Sequence, residues 1–62
     1  MKYSEIKRKL RKAGCYIKRQ GDRHEIWQSP ITNKTFPVSR HNTEEANIKT
    51  KLSIEKNSGV KL

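Results

Sequence analysis

The chain has 62 residues, 31% of them hydrophobic and 34% charged, with a formal net charge of +9. A chain this short holds one domain at most, and it buries only about 60% of the surface that its unfolded form exposes. A lone cysteine, Cys15, excludes an internal disulfide, no Cys/His pair has zinc-ligand spacing, and no apolar run nears the ~18 residues that span a bilayer.

The basic N-terminus is not followed by the apolar stretch of a secretory signal, so the expected location is cytoplasmic. The positive charge is uneven. Residues 1–23 hold nine Lys and Arg against two acids, and residues 24–62 hold six against four. Such a field attracts polyanions: nucleic acid, an acidic membrane surface or an acidic protein.

Residues 3–13 read as a helix, because Tyr3, Ile6, Leu10 and Ala13 recur at steps of three and four. Ser4 is the expected N-cap and Gly14 the expected stop. Residues 15–20 read as a strand, Gly21-Asp22 as a turn, and residues 24–28 as a second strand returning as a hairpin. Ser29, Pro30, Thr32 and Asn33 mark a loop before a short strand over 34–38. Pro37 cannot donate to a ladder, which places this strand at an edge or turns Pro37 outward.

A polar connection over 39–43 leads to a second helix expected to start near Thr43 or Glu44. Asn42 or Thr43 would cap it, Glu44 and Glu45 would lie in its first turn, and Gly59 would stop it. Its apolar positions are Ala46, Ile48, Leu52 and Ile54. The expected fold is α+β in the order α-β-β-β-α, a three-stranded antiparallel sheet with both helices on one face. The expected core is Ile6, Leu10, Ile17, Ile26, Trp27, Phe36, Val38, Leu52 and Val60.

His24 is the residue most suited to chemistry. An imidazole gives and takes protons near neutrality. Metal-free RNA cleavage needs such a group at the 2′-hydroxyl or the leaving 5′-oxygen, and cations to offset charge at phosphorus. Arg23 adjoins His24, and Arg19 lies across the turn. A solvated turn histidine without chemistry has the same local sequence. His41, after Arg40, is a second acid/base group, a phosphate donor or a solvated partner of Glu44. The run Lys7 to Lys12 offers a phosphate-tracking face or simply the wet side of an amphipathic helix. Trp27 and Tyr16 could stack on bases, with packing preferred for Trp27. Cys15 reads as a small buried hydrophobe. The acids near the hairpin, Asp22 and Glu25, do not make the cluster that a two-metal nuclease needs.

The ordered set of segments resembles the HicA family of toxin–antitoxin systems over nearly the whole chain. A first helix ends in Lys12-Ala13-Gly14, and a strand ends in Arg19-Gln20. A glycine turn then presents a histidine before an aromatic strand, Gly21-Asp22-Arg23-His24-Glu25-Ile26-Trp27, with Asp22-Arg23 where members commonly carry Gly-Ser. Phe36-Pro37-Val38-Ser39-Arg40-His41 and Ser58-Gly59-Val60 complete the pattern. The resemblance implies a single HicA-like domain over 1–62 with a fold like that of double-stranded-RNA-binding domains, which read RNA by shape and backbone. It also implies an mRNA interferase that cuts mRNA without a metal, inhibits translation and uses His24 as the catalytic residue. Lys7, Arg8, Arg11, Arg19, Arg23, Arg40 and His41 would bind the RNA. The implied partner is a HicB-type antitoxin that covers the active site and contacts operator DNA, so that this chain meets the operator only indirectly. The rival reading is a non-catalytic RNA-binding module of the same fold. A DNA-binding regulator is weaker, since no helix-turn-helix pattern is present.

Overall fold

A computed structural model describes residues 1–62. The elements are α1 (Tyr3–Lys12), β1 (Tyr16–Gln20), β2 (His24–Gln28), β3 (Thr35–Ser39) and α2 (Ile48–Ser58). The strands form one antiparallel sheet in the order β1-β2-β3. This is the expected α-β-β-β-α arrangement. No helix is long and apolar enough to cross a membrane.

Tyr3, Ile6 and Leu10 form the buried stripe of α1. They pack with Trp27, Phe36 and Val38 from one face of the sheet and Ile54 from α2, so both helices cover the same face. The other face is open. Pleating alternates side chains between the faces, which puts Tyr16, Arg19, His24, Ile26, Gln28, Thr35, Pro37 and Ser39 on the open one. Pro37 sits outward on the edge strand, where its missing N–H costs no ladder bond.

The helix starts depart from expectation for a shared reason. The N-cap of α1 is Lys2 rather than Ser4. The first helical N–H groups are bonded from a distance: Tyr3 donates to the Glu44 carbonyl at 3.1 Å and Ser4 to that of Asn42 at 3.0 Å. These partners satisfy donors that a side-chain cap would otherwise serve. The segment that supplies them cannot itself be helical. The connection is accordingly a turn at Asn42-Thr43, closed by the Glu44 N–H on the His41 carbonyl at 3.2 Å, followed by Glu45 bridged to Lys2, and α2 starts only at Ile48. Asn47 caps it, its side chain accepting from the Thr50 N–H at 2.8 Å, in place of Asn42 or Thr43.

Both glycine stops are as expected. Gly14 (φ 97°) and Gly59 (φ 72°) adopt the left-handed conformation. After Gly14, the Cys15 N–H returns to the Leu10 carbonyl and the Gly14 N–H to that of Arg11, a Schellman closure that buries Cys15 beside Leu10. The expected core needs three corrections. Leu52 is 53% exposed, whereas Ile54 is buried; two residues apart on a helix they point in nearly opposite directions. Ile26 lies on the open face, half-buried. Ile17 and Val60 pack at the margin of the core rather than within it.

Candidate active site on the open face of the sheet

The β1–β2 hairpin closes through the Gly21 N–H, which donates to the His24 carbonyl at 2.8 Å. A Cβ on Gly21 would stand 3.1 Å from that same oxygen, so a glycine permits the approach. Asp22 and Arg23 turn the chain without entering the left-handed region. The Gly21 carbonyl receives no backbone N–H in return. Instead Arg40 reaches across from the end of β3, and its Nη1 donates to the carbonyls of Gly21 at 3.1 Å and Asp22 at 3.4 Å. The side chain after β3 thus fastens the turn that presents His24.

His24 is exposed and pairs directly with Ser39 across the β2–β3 ladder. Arg19 is its diagonal neighbour on β1, on the same face, a relation that sets residues about 7–8 Å apart. His24 also lines a cleft of about 340 Å³ along the outer edge of β3, whose far wall is the first half of α2. Ser39, Lys49, Thr50 and Ser53 supply its polar lining. A proton-transfer group, a hydroxyl and cations therefore meet where a phosphodiester can enter from solvent.

The chain neighbour of His24 faces the other way. Glu25 points between sheet and α1, where its carboxylate accepts from Lys7 Nζ at 2.9 Å and from Trp27 Nε1 at 3.1 Å. Burial opposes its ionisation, but the Lys7 ammonium, the indole N–H and the Arg11 charge outweigh that and hold its carboxyl below the usual range. Lys7 in turn donates to Asn42 Oδ1 at 2.6 Å.

The expected site residues accordingly separate. His24, Arg19, Arg23 and Arg40 gather at one end of the open face and its turn. Lys7, Arg8 and Arg11 lie on α1, against the opposite face. Lys7 is corrected outright: its side chain is 4% exposed and bound to Glu25 and Asn42, so it cannot track phosphate. Arg11 keeps contact with solvent while its guanidinium lies 5.2 Å from the centre of the Trp27 ring, a cation–π arrangement. His41 is exposed in the connection, with Nδ1 at 3.9 Å from Glu44, and does not line the His24 cleft. Trp27 is fully buried, a packing residue as preferred.

Sequence reasoning missed Ser39, Lys49, Thr50 and Ser53 as cleft residues. The register could have placed Ser39 opposite His24. The other three depend on where α2 begins, and that is decided by the connection that caps α1. Nowhere do three or more His, Cys, Asp or Glu side chains converge.

A family model described as the HicA toxin of bacterial toxin–antitoxin systems matches residues 3–60. No curated protein and no solved structure gives a significant match.

Proposed function

Because the chain belongs to the HicA toxin family of bacterial toxin–antitoxin systems, we propose that it is a metal-independent endoribonuclease that cuts mRNA at His24. Membership gives the chain the toxin's place in such a pair and an antitoxin for a partner. The finer reading, mRNA cleavage that inhibits translation, rests on the site. The observation that carries it is His24 exposed beside Ser39 and Arg19 on the open face, on a turn held by Arg40.

In this reading His24 takes the proton of a ribose 2′-hydroxyl. The 2′-oxygen then bonds to phosphorus, the bond from phosphorus to the 5′-oxygen breaks, and that oxygen leaves with the proton that the His24 imidazolium returns to it. The products are a 2′,3′-cyclic phosphate and a 5′-hydroxyl. Arg19 offsets the charge that builds on the phosphoryl oxygens. Arg23 binds a neighbouring phosphate from the turn, and Arg8, Arg11 and His41 extend the positive field that holds the backbone. Arg40 orders the turn and adds its charge there. The partner is of the HicB type; it covers His24 and carries the operator-DNA contact. The fold supports this use, since double-stranded-RNA-binding domains share the element order.

The test is cleavage of a long single-stranded mRNA in EDTA by the wild-type protein and by His24→Ala. Wild type should cut and the variant should bind without cutting, with both folded by circular dichroism. Binding without cutting by either protein would leave a non-catalytic RNA-binding module. Cutting lost on chelation alone would contradict the imidazole mechanism.

A further inference from the structure

β1 is not a regular strand. Ile17 pairs with Trp27 and Arg19 with Ile26, so Lys18 is an extra residue in a bulge. In a regular strand Lys18 and Arg19 would point to opposite faces. A bulge sets successive residues against one partner and re-aims a side chain. Here Lys18 and Arg19 together line a depression of about 380 Å³ on the open face, with Ile26 and Thr35 as the rest of its wall. Neither cation has a carboxylate within ion-pairing distance. Two adjacent, unneutralised cations over a half-buried isoleucine make a place for an anion that carries a flat apolar group.

The depression has a fixed relation to His24. Arg19 is the diagonal neighbour of His24, and Ile26 lies two residues further along β2, about 7 Å away at ~3.3 Å per residue. That is about one nucleotide step along an extended single strand. Further along the same face Tyr16 is 52% exposed. Its hydroxyl donates to Gln28 Oε1 at 3.1 Å, and Gln28 Nε2 donates to Asn33 Oδ1 at 3.2 Å. Two linked hydrogen bonds thus hold an aromatic ring where a second base would arrive. Bases paired and stacked inside a duplex cannot enter a depression on a sheet face, whereas those of a single strand can be splayed onto it.

We propose that the bulge builds a nucleotide subsite for single-stranded RNA. Lys18 binds the phosphate of the nucleotide next to the one cut at His24, Arg19 stands between that phosphate and the one being cut, Ile26 receives the neighbouring base, and the strand continues along β2 towards Tyr16. The assignment rests on the reading of His24 as the cutting group, which fixes where the strand is cut.

The experiment measures binding of a fluorescent, unstructured 2′-O-methyl RNA, which cannot be cut by 2′-oxygen attack, as salt is raised. Wild type is compared with Lys18→Ala and with Lys18→Gln, which keeps most of the side-chain length and removes the charge. Each variant should lower the slope of log affinity against log salt by about 0.7, the value for one phosphate contact on a single strand. Affinity for the single strand should fall several-fold, while that for a duplex of the same sequence should not change. Both variants should melt at the wild-type temperature, because Lys18 makes no contact that holds the fold. An unchanged slope and affinity in both variants would overturn the subsite, as would an equal loss on the duplex. A loss confined to binding of the antitoxin would overturn it too, and mark the face as a protein interface. His24→Ala tests the premise separately. If that variant still cuts RNA while the Lys18 variants lose affinity, the catalytic reading fails and the RNA subsite stands.

Discussion

The pleat of β2 sends His24 and Glu25 to opposite faces of the sheet, and their surroundings differ accordingly. His24 meets solvent, a hydroxyl and cations. Glu25 meets a buried ammonium and an indole N–H. The second arrangement is structural, and it makes stability depend on acid. A folded carboxyl held below its ordinary value of 4.5 contributes stability that is complete above the unfolded value and is lost as pH falls through the folded one. The melting temperature should therefore drop as pH is lowered below that ordinary value. Glu25→Gln should cost on the order of 1–3 kcal/mol at neutral pH, since a hydrogen bond to a charged group is lost and Lys7 stays buried without its counter-charge. The same variant should show a flatter acid limb in thermal melts across pH. A wild-type limb retained by Glu25→Gln would assign the acid sensitivity elsewhere.

At the scale of the element, each helix is closed by something outside itself. The N–H groups of α1 are served by carbonyls of the connection, and the last carbonyls of α2 by hydroxyls of the β2–β3 loop. Ser29 donates to the Ser58 carbonyl and Thr32 to that of Asn57. Gly59 is the hinge of this second closure. A Cβ there would come within 2.8 Å of Ile31 and 3.0 Å of Thr32, at a φ of 72°. Gly59→Ala should cost about 1–2 kcal/mol from conformation alone, more with the clash. In a domain of this size that is a fall of at least ~4 °C in melting temperature. Asn47→Ala should cost about 1 kcal/mol through loss of the N-cap. If Gly59→Ala melted like wild type, the loop would not be docked on α2 as described.

The whole molecule joins a small core to a large field. Eleven of 62 residues are buried, yet the Cα radius of gyration is 10.2 Å, against about 10.5 Å expected for a folded chain of this length. A high charged fraction does not prevent folding here, because the apolar residues fall on two helix stripes and one sheet face. Net charge of +9 then attracts polyanions. With Lys18, Arg19 and Arg23 on phosphates, log affinity for a single strand should fall against log salt with a slope of about −2 or steeper. Fluorescence titration of an unstructured RNA at several salt concentrations checks this. Binding indifferent to salt would contradict a phosphate-led interface.

The order of elements, the stripe of α1, the two glycine stops and the hairpin that ends at His24 were legible in the sequence, because each is a local matter of periodicity or turn chemistry. Tertiary structure decided the rest. Lys7 and Lys18 look alike in the sequence, two cations in a basic N-terminal half. One is drawn beneath the sheet by Glu25, and the other is turned onto the open face by a bulge. The start of α2 moved because the residues before it are occupied in capping α1. Leu52 and Ile54 exchanged places with it, since which side of a helix is buried depends on where the sheet lies. Local sequence fixes what a segment can form. Partners distant in the chain fix which side chains that segment has left to offer.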